Sequence, residues 1–382
     1  MGAFYDTQKT VYFTQQDIRY IAHAYGNIPA LYLQFQGNDP VNAHSEAGFG
    51  TVILHPTSKL TITGGLRYTS EHKDYTFVRL GINGGPLADP FGVYLLNGLT
   101  ANYNGHKLDY RVSVDYRFNP QILAYATTST GFKGGGVTAR PFTVGQALNG
   151  DFAPETLTNY EVGLKTDLFD RRLRINIDGF YDKYNNIQLP IIDCSRLDGF
   201  AAGTDPFPCA AVANAGNGHT EGVEAEVTAH PIAGVEFDGS LSYLTGAFST
   251  ISAAVLGPIQ PGDPDYDAPQ WKASGGLQYK ADLGNNNSLT PRVDVSYTSK
   301  QSNGRLLNGG PLQYTQAYTL ANAHLTWNDD NQRLTISFDV MNLFNKYYFL
   351  PIPFTDLYSS TGTSYQTVGQ PRQWSLTIRK KF

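Results

Sequence analysis

The sequence predicts an all-β protein, an antiparallel transmembrane β-barrel, on three observations. The 382 residues include 25 Tyr, 21 Phe and 39 Gly, while charged residues make up only 16%. That composition suits twisted strands, wide turns and aromatic girdles at a membrane interface. Segments of strict two-residue alternation recur along the chain, and that period means strand. The joints between them alternate short and long, as on the two rims of a bacterial outer-membrane barrel. A helix needs about 18 or more apolar residues to cross a bilayer, and no such run occurs. A strand crosses with about 9–11 residues, every second one apolar.

In chain order, the segments near Gly2–Phe13 and His44–His55 are the least regular strands. Between them Ile18, Ile21, Ala22 and Tyr25 stand at helical spacing within Gln16–Tyr25, which predicts a turn or two of helix in a loop. From Lys59 onward Leu60, Ile62, Leu66 and Tyr68 oppose Thr61, Thr63, Arg67 and Thr69. Next, Leu108, Tyr110, Val112, Val114, Tyr116 and Phe118 alternate without a fault against Asp109, Arg111, Ser113, Asp115 and Arg117. Such a segment makes a wall between lipid and a watery lumen. Further strands are predicted at Gln121–Lys133, Leu157–Leu168, Arg172–Leu189, His219–His230, Val235–Phe248, Gln270–Asp282, Ser288–Ser299, Thr315–Asn328 and Arg333–Tyr347. With the final segment from Gln373, about 14 strands are present.

Six tight turns carry Pro, Gly, Asn or Asp, for example His55–Lys59, Asn119-Pro120, Phe169–Arg171 and Gly284–Asn287. Six long loops alternate with them, at Arg79–His106, Gly134–Thr156, Pro190–Gly218, Ser249–Pro269, Lys300–Tyr314 and Tyr348–Tyr365. The chain ends on the short-turn rim, so that rim is read as periplasmic and the long loops as extracellular. Tyr116, Phe118, Trp327 and Phe382 fall near the short turns, and Trp271, Tyr347 and Tyr348 near the long loops, as two interfacial belts require.

Val340–Tyr348 (VMNLFNKYY), Gly369–Arg372 (GQPR) and the terminal strand ending in Phe resemble the C-terminal signature of the TonB-dependent outer-membrane receptors of Gram-negative bacteria. Gly65–Thr69, Gly131–Gly135, Pro154–Lys165 and Gly222–Glu226 match in the same order. The resemblance implies an outer-membrane receptor importing a scarce nutrient such as a ferric siderophore, energised through TonB. It implies a barrel of 22 strands, of which this chain supplies a part. Residues 1–382 then read as one barrel domain lacking the plug domain and the segment that TonB grips. It also makes Trp374, Leu376, Ile378 and Phe382 the signal read by the barrel-assembly machinery. The alternative function is a passive, plugless diffusion pore.

Other chemistry finds little support. The eight histidines show no metal-ligand spacing, no Ser/His pair is placed for catalysis, and no cofactor is implied. Gly131–Gly136 lacks the Gly-Lys-Ser/Thr order of a phosphate loop. A net charge of −5 argues against a nucleic-acid partner. Met1 is followed by Gly2-Ala3-Phe4-Tyr5, so no signal peptide is read. Cys194 and Cys209 share one Gly/Pro-rich loop; they are either a disulfide contributing about 3 kcal/mol or two unpaired small residues, and their shared loop favours the disulfide.

Candidate lumen-facing charges include Arg67, Arg111, Asp115, Arg117, Glu161, Lys165, Glu224 and Glu226. Most are read as cross-strand ion pairs and solvated wall. Candidate ligand contacts are the loop aromatics Tyr94, Tyr103, Phe142, Phe200, Phe207, Tyr266, Phe349, Phe354 and Tyr358, which are equally suited to packing loop on loop.

Overall fold

The computed structural model describes residues 1–18, 33–82, 92–191, 193–205, 207, 209–255, 259–264, 268–305, 311–329, 333–351 and 367–381. Fourteen long strands follow one another in sequence order. They are β1 (Gly2–Ile18), β2 (Leu33–Leu54), β3 (Leu60–Thr76), β4 (Thr100–Asn119), β5 (Ile122–Lys133), β6 (Glu155–Leu168) and β7 (Leu173–Ile191). Then come β8 (Ala211–Ala229), β9 (Val235–Ile251), β10 (Trp271–Tyr279), β11 (Asn287–Thr298), β12 (Tyr318–Asn328), β13 (Leu334–Met341) and β14 (Gln373–Lys380). Each pairs antiparallel with the next. The short strands Arg79–Leu80 and Ala281–Gly284 attach to β2 and β11.

The tight turns follow from their residues. Thr57 Oγ1 accepts the amides of Lys59 (3.2 Å) and Leu60 (3.1 Å), and Asn119 Oδ1 accepts that of Gln121 (2.9 Å). Asn285 and Asn286 take the left-handed conformation (φ 48° and 59°), which Asn adopts more readily than most residues. Phe169, Asp170 and Arg171 are left-handed too, closing β6 onto β7.

Cross-strand register sorts the side chains onto two faces. One carries an unbroken apolar row through Val114, Ala126, Val162, Gly179, Val223, Tyr243 and Trp271. The other carries Asp115, Tyr125, Gly163, Asp178, Glu224, Ser242 and Lys272 in the adjacent row. Leu66, Leu108, Val162, Leu241, Leu277 and Leu376, all on the apolar face, are among the exposed large hydrophobics.

The strands overrun the sequence reading at the long-loop end. β2 has 22 residues, on the order of 70 Å, against an apolar band about 25 Å tall in outer-membrane barrels. β1 continues to Ile18 and β2 begins at Leu33, so a seventh long joint lies between them and Gln16–Ile18 is strand, not helix. The rest of the expected helical turn lies outside the described residues. Beyond the membrane neither face meets lipid, so apolar alternation is not required there and fades.

Three other boundaries differ. Lys280 divides the expected Gln270–Asp282 strand. Leu312–Thr315 leaves the main sheet to pair with Gln301–Arg305. β13 stops at Met341, because Asn342 and Asn345 are left-handed (φ 49° and 51°). The path runs open from β1 to β14, with no pairing between them among the described residues.

Candidate functional site

Charged side chains gather on the polar face and beneath the loops folded over its long-loop end. All eight candidate lumen charges share that face by register. Arg67 opposes Asp109 and Asp115 opposes Tyr125; Arg111 and Arg117 flank Asp115 on the same face of β4. Thr127 opposes Glu161 and Leu123 opposes Lys165, while Glu224 and Glu226 oppose Asp178 and Asn176. Contacts within this set include Tyr125 Oη donating to Glu161 at 2.6 Å and the Lys165 ammonium 5.4 Å from the Tyr125 ring centre. The Arg67 guanidinium lies over Phe4 and Phe49.

A longer ladder, not singled out from the sequence as a unit, crosses β9 to β14. Arg292 bridges Asp238 (2.7 Å) and Asp294 (2.6 Å). His324 stands between Asp294 (3.3 Å) and Asp339 (2.7 Å), and Ser375 donates to Asp339 at 3.2 Å. Arg292 and Asp294 are two apart on β11, and the other members sit on separate strands, so strand pairing brings the ladder together. The ladder ties the polar face of the last strand to four strands before it.

The roof is made by the joints after β3, β5 and β7. Phe35, Phe77, Val93, Leu96, Ala101, Tyr103, Val137, Phe142 and Ala147 form one apolar core. Phe35, Ala101 and Tyr103 are on the polar face by register. Within this core a fully buried ion pair joins Arg79 Nη1 to Asp39 Oδ1 at 2.6 Å. The guanidinium lies 5.4 Å from both the Phe35 and the Phe77 ring centres. Asp39 Oδ1 also accepts the Val78 amide at 2.8 Å. Burial pushes the Asp39 carboxyl up and the Arg79 guanidinium down, and each partner opposes the other's shift.

A second core gathers Leu189, Ile191, Cys194, Ala211, Ala215, Phe248, Val255 and Ile259. Here Cys194 and Cys209 are joined by a disulfide with Cα atoms 5.4 Å apart. The short helix Ser195–Asp198 following Cys194 docks on the helix Val144–Asn149 of the neighbouring joint. Asp198 accepts from Thr143 Oγ1 and from Gln146 Nε2 (2.9 Å), and Asn149 Nδ2 donates to the Leu197 carbonyl (2.9 Å). Gly145 permits this approach, because a Cβ there would stand 2.4 Å from Asp198 Oδ1. Burial, reinforced by Asp198, pushes the nearby Asp205 carboxyl up to about 6. Asp193 is held below its usual range by the hydroxyl and amide of Ser195 and the amide of Gly203.

The candidate aromatic contacts divide between packing and exposure. Tyr103 and Phe142 are buried in the first core, with Phe142 edge-on to Phe35 at 6.5 Å, so neither presents a surface to a ligand. Tyr103 belongs to β4 rather than to a loop. Tyr94 and Phe200 are exposed, and Phe200 leans on Phe207 at 6.2 Å. Phe349 packs edge-on to Tyr347 and bridges to Val368. Tyr266, Phe354 and Tyr358 lie outside the described residues.

A cleft of about 530 Å³ opens between the joints after β9 and β11, lined by Tyr297, Lys300, Gln301, Tyr314, Gln270 and Gln316. The Lys300 ammonium stands 5.0 Å from the Tyr314 ring centre. A larger hollow of about 760 Å³ lies over the apolar rows of β4 to β9, away from the roof.

The C-terminal motif residues fold on one another. Asn342 donates to the carbonyls of Lys346 (2.9 Å) and Gln370 (3.0 Å) and accepts the Lys346 amide (2.7 Å). Asn345 accepts the Arg372 amide at 2.9 Å. Their work is to clasp the end of β13 to the start of β14. Trp374, Leu376 and Ile378 stand exposed on the apolar face of β14, and Phe382 lies outside the described residues.

Solved structures share this fold. The ferric yersiniabactin uptake receptor FyuA of Yersinia pestis matches with a TM-score of 0.75 at 18% identity, over 100% of this chain and 50% of that one. The ferric-catecholate import receptor Fiu of E. coli K12 in its closed form gives 0.66 at 16% identity, over 100% and 51%. The siderophore receptor PiuA of Acinetobacter baumannii gives 0.64 at 16% identity, over 98% and 52%. The chain thus spans about half the length of these receptors, and its open path has the course of part of a wider wall. A family profile described as "TonB dependent receptor-like, beta-barrel" matches residues 1–343, so the chain belongs to the TonB-dependent receptor β-barrel family of the Gram-negative outer membrane.

Proposed function

We propose that residues 1–382 act as one wall domain of an energised importer for a scarce nutrient, a ferric siderophore or similar chelate, driven through the TonB complex. The observation that carries the reading is the roofed polar face, a charged wall with two apolar loop cores at its long-loop end. A passive pore gains nothing from such a roof, whereas an importer needs a mouth that excludes solutes until a ligand is recognised. The three similar structures are iron-chelate or siderophore receptors, which supports this substrate class.

In this reading the eight charges from Arg67 to Glu226 face the lumen, and the β9–β14 ladder stiffens the wall against a moving plug. Of the roof aromatics, Tyr94 and Phe200 are available to a ligand, joined by Lys300 and Tyr314 in the cleft. A cation beside aromatic rings suits an anionic, ring-bearing chelate. The exposed apolar face of β14 is read by the assembly machinery.

The test is uptake of radiolabelled ferric siderophores by cells whose only receptor is the protein containing this chain, with and without TonB. The expected result is accumulation that is lost without TonB. Solute entry of equal rate in both strains would overturn the reading in favour of a passive pore.

A further inference from the structure

Above Tyr243 the wall steps down. β9 continues past Tyr243 to Ile251, whereas β10 starts at Trp271 opposite Tyr243 and β11 ends at Thr298 opposite Lys272. Beyond the step the segments Gln301–Arg305 and Leu312–Thr315 pair as a separate hairpin. The cleft of about 530 Å³ opens in this step, between β9 and the hairpin, and its volume lies in the range of about 300–1,000 Å³ typical of small-molecule pockets. Leu244 and Gly246 line it from the polar face and Tyr297 from the apolar face, so the cleft is a notch through the rim of the wall.

Several polar groups in its floor are already engaged. Ser299 Oγ accepts the Trp271 amide at 3.0 Å, Ser302 Oγ accepts that of Gly304 at 3.2 Å, and Gln270 Nε2 donates to Tyr243 Oη at 3.3 Å. Gln301 differs. It lines the cleft and is only 6% exposed, yet its Nε2 has no acceptor among the described residues. A buried amide donor without a partner is rare in native structures and unfavourable. The hairpin holds it in place: Asn303 Nδ2 donates to Thr315 Oγ1 at 3.0 Å, Thr315 Oγ1 donates back to Asn303 Oδ1 at 3.1 Å, and Gly304 takes the left-handed conformation (φ 86°). Tyr297 and Tyr314 are exposed, and Lys300, 5.0 Å from the Tyr314 ring centre, is the cation among the described lining residues.

We propose that this cleft seats a ferric chelate of mixed type, in which one catechol-like ring and two hydroxamates carried on a peptide backbone hold the metal. The inference rests on the importer reading and narrows its substrate class. Such a donor set leaves a single negative charge on the ferric core, the charge that one ammonium matches. The ring packs against the exposed tyrosines, and a backbone carbonyl of the peptide accepts from Gln301 Nε2. A tris-catecholate is a trianion, which Lys300 alone leaves largely uncompensated. A trihydroxamate has neither the ring nor the charge.

The experiment measures binding to the full-length protein in detergent by quenching of tryptophan fluorescence, with a panel of ferric pyoverdines as the mixed chelates, ferric enterobactin as the tris-catecholate and ferrichrome as the trihydroxamate. The best pyoverdine should bind at least about tenfold more tightly than either of the others. Gln301→Met should weaken it about tenfold and leave or raise the Tm, since the amide removed has no bond to lose in the free protein. Lys300→Met should weaken it about threefold and leave ferrichrome unchanged. Equal or tighter binding of ferric enterobactin or ferrichrome, an unchanged affinity in Q301M, or a loss of affinity in Q301M accompanied by a lowered Tm would overturn the proposal. TonB-dependent uptake of ferric enterobactin or ferrichrome with no pyoverdine bound overturns it and leaves the importer reading standing; entry of all three independent of TonB overturns that reading as well.

Discussion

Replacing Arg79 with Met should open the roof. Among the described residues Arg79 is the cation paired with the buried Asp39 carboxylate, and both side chains are fully buried. Removing one member of a buried pair costs about 3–5 kcal/mol, because the other charge is left without compensation. The segment that would open is defined by hydrogen bonds from Phe77 N to the Leu99 carbonyl and from Gly98 N to the Phe77 carbonyl, each 2.8 Å. Hydrogen exchange at those two amides should therefore accelerate at least about a hundredfold, since 1.4 kcal/mol is a factor of ten. The double variant D39L/R79M fills the same space with apolar groups against Phe35 and Phe77 and should return exchange to within about tenfold of wild type. Acid should also relieve R79M: burial already raises the Asp39 carboxyl, and once protonated it no longer needs a cation. Exchange in R79M within threefold of wild type, or a double variant worse than the single, would refute the reasoning.

Other outcomes follow from the two faces and the loop contacts. Leu376→Arg on the apolar face should cost about 2–4 kcal/mol near the bilayer midplane and reduce assembly, while Ser375→Arg on the polar face should assemble normally, read by heat-modifiable mobility. Gly145→Ala should part the helix Val144–Asn149 from Ser195–Asp198 and expose both joints to limited proteolysis, at a cost of about 1–3 kcal/mol. The Asp205 carboxyl, raised to about 6 from an unfolded 3.8, binds its proton more tightly when the loop is ordered. Its contribution to loop order is therefore greatest below pH 3.8 and is lost as pH rises through about 6, opposite in sign to that of Asp193, whose depressed carboxyl loses its contribution as pH falls; D205N should remove the Asp205 component from the hydrogen exchange of residues 193–205.

The membrane-crossing strands were legible because each side chain there must choose between lipid and water. Leu108–Phe118 shows that choice at every position, and the count of fourteen strands survives in the structure. Where strands leave the bilayer the constraint vanishes, which is why β2 upstream of His44 and β1 beyond Phe13 gave no alternation to read. Charges could be assigned to a face by parity, but partners could not. That Arg292 meets Asp238, or that Asp39 meets Arg79, depends on register across strands and on a loop folding back. Tyr103 and Phe142 had the composition of ligand contacts and the fate of core residues, since an aromatic side chain serves either purpose.

The clasp at Asn342 has a practical side. The Tyr348 carbonyl takes the Gly369 amide at 2.9 Å, and the Thr367 carbonyl takes that of Leu350 at 2.9 Å, so two rungs tie off the neck of the last long joint. The register of β14 is thus set below those rungs by Asn342, Asn345 and Arg372, independently of how many residues stand above them. With the long-loop rim outside, as proposed, we expect peptide grafted between residues 351 and 367 to be reached by antibody on intact cells without disturbing β14.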